Sequence, residues 1–232
     1  MKLFGVCAIV AGAACYHAGS VRDETNVLVD GKREAWRLEW HSPTKAVCAN
    51  PDESLTCPCS GFENGRAGVV DLVREAGDRV DRLPLAPLFH GEETPAGDGV
   101  AVIAKPASIL TMADFDHDGR PTEFMLQVGT LPCGHREAVI VGVSRSAATL
   151  HAFASVGHPT RPLVLEVQTW RALLASPGGH ATRVELTCGD HASEKEIEVE
   201  VLATPAGFDG TRRTFACYDR AARGRLISSE RL

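Results

Sequence analysis

Glu196-Ile197-Glu198-Val199-Glu200-Val201 sets an acid against a β-branched aliphatic residue at every step. Successive side chains of a strand point to opposite faces, so this pattern wets one face and packs the other. One wet face is the habit of antiparallel sheets, because parallel strands are buried on both sides. The same alternation recurs upstream, where Trp36, Leu38 and Trp40 are separated by Arg37 and Glu39. Asp30-Gly31 lies between the apolar stretches 26–29 and 35–40, and Asp-Gly is a favoured pair for a tight hairpin turn. Further strands are expected at 123–128, 138–143, 149–154, 163–167, 183–187, 197–202 and 214–218. The expected fold class is therefore mainly β, with antiparallel sheets in a sandwich- or barrel-like arrangement.

Two segments depart from period two. Val69, Val70, Leu72, Val73, Ala76, Val80 and Leu83 fit helical spacing, yet Gly77-Asp78 in their midst suits a turn, and a hairpin is the preferred reading. Residues 168–175, with Trp170, Leu173 and Leu174, form the one expected helix, stopped by Ser176-Pro177-Gly178-Gly179. Residues 84–99 are rich in Pro, Gly and acid. They divide the globular region 19–232 into two expected halves, 19–95 and 100–232, packed together.

The chain has 232 residues, is 44% hydrophobic and carries 24 Lys and Arg against 30 Asp and Glu, a formal charge of −6. That much apolar material with so little net charge excludes disorder as the main state. The acidic balance argues against a nucleic-acid partner. Aromatics at 6% give little material for a sugar-stacking platform.

Lys2 precedes an apolar run from Leu3 to Ala14 that ends in small residues, the layout of a secretory signal and too short to span a bilayer. Gly12-Ala13-Ala14-Cys15 resembles the lipobox of bacterial lipoproteins, although the family usually has Leu where this chain has Gly12. The resemblance implies a lipid anchor at Cys15, while a cut after Ala13 or Ala18 is the competing route. Residues 1–18 are thus read as a signal- or lipoprotein-like segment. The chain is expected to be exported, either periplasmic or outer-membrane-anchored or extracellular, with an envelope component or another protein as its partner.

Of the eight cysteines, Cys7 would leave with the signal and Cys15 would be lipidated or removed. The remaining six are Cys48, Cys57, Cys59, Cys133, Cys188 and Cys217. An even number suits disulfide staples in an oxidising compartment. Proximity favours Cys48 with Cys57 or Cys59. Cys133-Gly134-His135 and Cys188-Gly189-Asp190-His191 are read as a Cys133–Cys188 disulfide, with a Cys₂His₂ zinc site as the alternative. Cys57-Pro58-Cys59 also admits a redox or copper-binding reading.

The sharpest motif is Asp114-Phe115-Asp116-His117-Asp118-Gly119-Arg120-Pro121-Thr122-Glu123. Ca²⁺ takes 6–8 oxygens at about 2.3–2.6 Å, and carboxylates at alternate positions of a tight loop can converge on one ion. Gly119 permits the turn that follows, the Arg120 carbonyl offers a fourth oxygen, and Glu123 closes the set. An EF-hand needs a bidentate Glu at the twelfth position, where this chain has Met125. The stretch instead resembles the calcium loop of the FG-GAP and VCBS repeats of extracellular proteins, Asp-x-Asp-x-Asp-Gly-x-x-Asp followed by a strand. Asp114, Asp116, Asp118 and Gly119 match, while Thr122 stands where the last aspartate belongs. With a single copy over ten residues, the resemblance implies a calcium loop and not a propeller. The alternative is a solvated acidic turn.

No Gly-x-Ser-x-Gly, His-Glu-x-x-His, Walker or Gly-x-Gly-x-x-Gly motif occurs. The expectation is a non-enzymatic binding or structural protein with one structural Ca²⁺ held by Asp114, Asp116, Asp118, Arg120 and Glu123. The alternative is a metal-dependent hydrolase that adds distant histidines, such as His135 and His191, to the aspartate loop.

Overall fold

The computed structural model describes residues 20–41, 45–48, 57–89, 94–97, 99–104, 109–218 and 222–232. The signal-like segment 1–18, with Cys7 and Cys15, lies outside the described residues. Fifteen strands are described, in chain order β1 (Ser20–Val29), β2 (Lys32–Trp40), β3 (Lys45–Ala46), β4 (Arg66–Gly68), β5 (Val70–Ala76), β6 (Arg79–Pro84), β7 (Ala101–Ile103), β8 (Glu123–Thr130), β9 (Arg136–Gly142), β10 (His151–Ala152), β11 (Leu165–Glu166), β12 (His180–Leu186), β13 (Lys195–Thr204), β14 (Gly207–Tyr218) and β15 (Ala222–Arg231). One helix, α1 (Val167–Ala175), follows β11. The protein is mainly β, built from four antiparallel sheets, as its alternating pattern predicts.

The first sheet runs β1-β2-β5-β6. Its β1–β2 hairpin turns at Asp30 and Gly31, both with positive φ (49° and 79°), the conformation that an Asp-Gly pair favours. The segment with ambiguous periodicity is the β5–β6 hairpin, with Gly77 at φ 62° in the turn. Inside this sheet the Arg74 guanidinium grips Glu34 through Nε at 2.7 Å and Nη2 at 2.8 Å, and donates to the Ala148 carbonyl at 2.7 Å. The pair is buried, and the third bond ties the sheet to the segment that follows β9. A small sheet, β3-β4-β7, lies beside it in sequence, and Cys48–Cys59 closes the loop there.

Strand β9 is the central wall. It pairs with β8 along one edge and with β10 and β11 along the other. Val139 and Val141 enter a core shared with Trp36, Leu38, Leu72 and Phe124, while Ala138 and Ile140 enter a second core with Trp170, Val199, Val201 and Phe208. Alternate residues of one strand thus feed two cores, which makes 138–143 a continuous apolar run.

The fourth sheet, β12-β13-β14-β15, contains the 196–201 pattern. Val199 and Val201 are fully buried, each contributing about 1.5–3 kcal/mol by removing apolar surface from water. On the opposite face Glu198 and Glu200 meet Arg213 at 3.3 and 2.6 Å, and Arg223 reaches Glu196 and, at 2.8 Å, Glu198. Such part-exposed pairs give only about 0.2–1 kcal/mol each, so the valines dominate. Helix α1 covers the second core, with the Trp170 indole N–H donating to the Ala138 carbonyl at 2.9 Å.

Several expectations are corrected. Cys188 is bonded to Cys217, not Cys133, which also removes the Cys₂His₂ zinc alternative. That bond joins the β12–β13 connection to the end of β14, and sheet register rather than sequence proximity brings the partners together. Cys59 is engaged with Cys48, so Cys57-Pro58-Cys59 is not a dithiol pair. Val167 opens the helix instead of ending a strand, and 149–154 contributes only His151–Ala152 to a ladder. The ten-residue strand β15 lacks alternation and was not expected; two register shifts against β14 replace a regular pattern.

Candidate metal centre

The 114–122 loop is closed by an antiparallel bridge between Ala113 and Glu123, with N···O distances of 2.7 and 3.2 Å. Phe115 anchors it, because this side chain drops into the second core and meets Trp170 edge-to-face at 6.5 Å. Asp114 and Asp116 flank this anchor, and carboxylate oxygens of both come close to Glu123. Left-handed backbone at His117 (φ 56°) and Gly119 (φ 90°) folds the tip back. The His117 ring is fixed by a hydrogen bond between Nε2 and the Leu173 carbonyl oxygen, 3.1 Å apart, near the C-terminal end of α1.

Backbone amides hold the carboxylates. Asp116 Oδ1 accepts from the Asp118 N–H at 3.1 Å, and Asp114 Oδ2 accepts from the Gly119 N–H at 3.0 Å. Glu123, at the first position of β8, is fully buried, and its Oε2 accepts from the Phe115 N–H at 2.9 Å. The Thr122 hydroxyl lies 2.6 Å from Glu123 Oε1 and 2.8 Å from the Val143 carbonyl oxygen. Close approach of β9 is possible because residue 142 is glycine: a Cβ there would sit 2.3 Å from the Thr122 carbonyl oxygen.

Ligand atoms of Asp114, Asp116 and Glu123 all lie within 4.8 Å of one another. Two oxygens bound to a single Ca²⁺ at about 2.3–2.6 Å can stand no more than roughly 5 Å apart, so the spacing fits one ion. Asp114 Oδ1 is buried and accepts no hydrogen bond. Burial pushes the Asp116 carboxyl up to about 6, and the Asp118 and Asp114 charges add to this against the Asp118 N–H bond. Burial likewise pushes Glu123 up to about 8; the Thr122 bond opposes it and the Asp116 charge reinforces it. Without a cation, Glu123 therefore keeps its proton at neutrality, while Asp116 gives up its own only as pH rises through about 6.

Asp118 and Arg120 are placed differently. Asp118 Oδ1 accepts from the Arg120 N–H at 2.9 Å, and Oδ2 accepts from the Arg145 N–H at 2.7 Å and from Arg120 Nη2 at 3.0 Å. Burial works against its charge, yet the Arg120 guanidinium and the Arg145 amide outweigh that and hold it below the usual carboxylate range. The Arg120 carbonyl accepts from the Thr122 N–H at 2.9 Å, while its side chain spans Asp118 and Asp30. His135 pairs instead with Glu166, Nδ1 to Oε1 at 3.0 Å. The group of close ligand atoms is made of carboxylates alone among the described residues.

Comparison with known proteins adds no relative. No family model, curated protein or solved structure matches the chain.

Proposed function

We propose that Asp114, Asp116 and Glu123 bind one Ca²⁺ that pins the β8 loop to α1, in an exported, disulfide-stapled β protein whose role is binding or structural rather than enzymatic. The observation that carries this reading is Asp114 Oδ1, a buried carboxylate oxygen with no donor among three converging carboxylates. Buried polar atoms are nearly always satisfied; no N–H reaches this oxygen, and a cation would satisfy all three carboxylates at once where a shared carboxyl proton satisfies only a pair. An all-oxygen donor set supports a hard cation such as Ca²⁺ over zinc. Ca²⁺ would neutralise carboxylates that otherwise repel one another, with backbone carbonyls or water completing its shell. Asp118 and Arg120 then act as the loop's brace, setting where the ligands stand.

Two disulfides are compatible with an oxidising compartment, and no helix among the described residues is long and apolar enough to cross a membrane. The disulfides support export, together with the signal-like composition of residues 1–18. Mass spectrometry of the chain recovered from a bacterial host tests it: a processed or lipidated N-terminus is expected, and intact Met1 contradicts it. A calcium-electrode titration of chelator-stripped protein tests the ion. One equivalent should bind at about 10⁻⁴–10⁻³ M, the range of extracellular modules. Equal binding by an Asp114→Asn/Asp116→Asn variant, or no binding by the parent, would overturn the site.

A further inference from the structure

Away from the aspartate loop, β9 and β11 part from β12–β14 to leave a cleft of about 470 Å³, within the size range of small-molecule sites. Leu131, Val164, Leu165, Leu186 and Ile197 line it. Leu165 belongs to the second core and Ile197 packs against that core, so the cleft is an opening into a packed interior rather than a surface dent.

Two carboxyls face this apolar lining. Glu166, immediately before α1, has a side chain only 11% exposed, and it holds the His135 ring at 3.0 Å. Glu185, on β12, accepts a hydrogen bond from Thr169 Oγ1 at 2.9 Å. Burial raises its pKa against the Thr169 bond, the Glu166 charge adds to the rise, and Arg212 opposes it. Glu137 and Asp190 are also on the wall, and Arg212, which reaches Glu230 at 3.4 Å, is the guanidinium among the lining residues. Acid thus outweighs base around an apolar floor.

We propose that this cleft binds a small organic cation, a primary amine carried on an apolar group, with its ammonium between Glu166 and Glu185 and its apolar part against Leu165, Leu186 and Ile197. A purely apolar occupant would strip water from both carboxyls without neutralising their charge, and an anion would meet like charge at close range. An ammonium brings three donors to acceptors that are already fixed, Glu166 by His135 and Glu185 by Thr169. None of these residues belongs to the 114–123 loop, so this site is independent of the Ca²⁺ reading.

The test uses 2-phenylethylamine, with 2-phenylethanol and 3-phenylpropionate as neutral and anionic counterparts, in amide chemical-shift titrations of the full chain. The amine should bind about tenfold or more tightly than the alcohol, the size of a charge-assisted hydrogen bond, and should shift the amides of Glu166, Thr169, Glu185 and Leu186. Glu185→Gln keeps the shape of the neutral acid and should abolish that preference, and Glu166→Gln should do so as an independent variant. Absence of amine binding, equal affinity for amine and alcohol, or a preference that survives both substitutions would overturn the proposal.

Discussion

Asp118 and Arg145 are locked together twice: the Arg145 N–H donates to Asp118 Oδ2 at 2.7 Å, and its Nε donates to the Asp118 carbonyl oxygen at 2.8 Å. The third aspartate of the Asp-x-Asp-x-Asp series is therefore spent on holding the loop tip against the segment after β9. The calcium-like sequence pattern is thus split: Asp114 and Asp116 converge with Glu123, while Asp118 braces the loop.

The division predicts opposite responses to substitution. Asp118→Ala removes hydrogen bonds to a part-buried carboxylate and should destabilise the chelated protein by about 1–3 kcal/mol in urea unfolding. Asp114→Asn in the same chelator should be close to neutral or stabilising, because it removes charge from a repelling cluster. Equal losses in the two variants would show that the division is wrong.

A pH dependence follows from the buried acids. In chelator, Asp116 rises from its ordinary 3.8 to about 6 and Glu123 from 4.5 to about 8. The folded chain then binds more protons than the unfolded one across that range, so stability falls as pH rises. The metal-free melting temperature should decline steadily from about pH 4 to about pH 8, with Asp114, Asp118 and Arg120 the charges facing the two acids. Glu123→Gln should flatten the upper part of that decline. A melting temperature independent of pH over this interval would count against the protonated cluster.

Phe115 joins loop to core. Phe115→Ala deletes a buried ring packed on Trp170 and should cost about 3–5 kcal/mol. The variant should also lose Ca²⁺ affinity, since the ring anchors the loop between Asp114 and Asp116. Unchanged affinity would mean that the backbone amides alone position the carboxylates.

The two disulfides close loops of different length, with sequence separations of 29 for Cys188–Cys217 and 11 for Cys48–Cys59. Replacing both cysteines of the longer loop by serine should cost about 3–4 kcal/mol in the chain-entropy treatment, just under ~1 kcal/mol more than for the shorter loop. Urea unfolding of the two double variants gives the comparison.

Sequence periodicity carried much of this fold. The Asp30-Gly31 hairpin, the β5–β6 hairpin, β8, β9, β13 and the helix all follow from local patterns that burial made necessary. What escaped was decided by distant partners. Strand β15 has no alternation because its Leu226 and Ile227 remain half exposed, and only its register on β14 makes it a strand. The Cys188–Cys217 pair is set by sheet geometry, not spacing. At the candidate centre the aspartate spacing singled out the loop, and the structure gathers Asp114, Asp116 and Glu123 there. Nothing in ten residues could announce that Arg145 would claim Asp118, or that Glu166 and Glu185 would face one cleft.

The most direct measurement is thermal unfolding of the oxidised chain in EDTA and then in about 10 mM free Ca²⁺, beside the Asp114→Asn/Asp116→Asn variant. With a dissociation constant of about 10⁻⁴–10⁻³ M, mass action adds about 1.4–2.7 kcal/mol to the parent, a rise of roughly 3–10 °C for a chain of this size. The account predicts that rise in the parent and none in the variant. An unchanged parent midpoint, or an equal rise in both proteins, would contradict a native-state Ca²⁺ site at Asp114, Asp116 and Glu123.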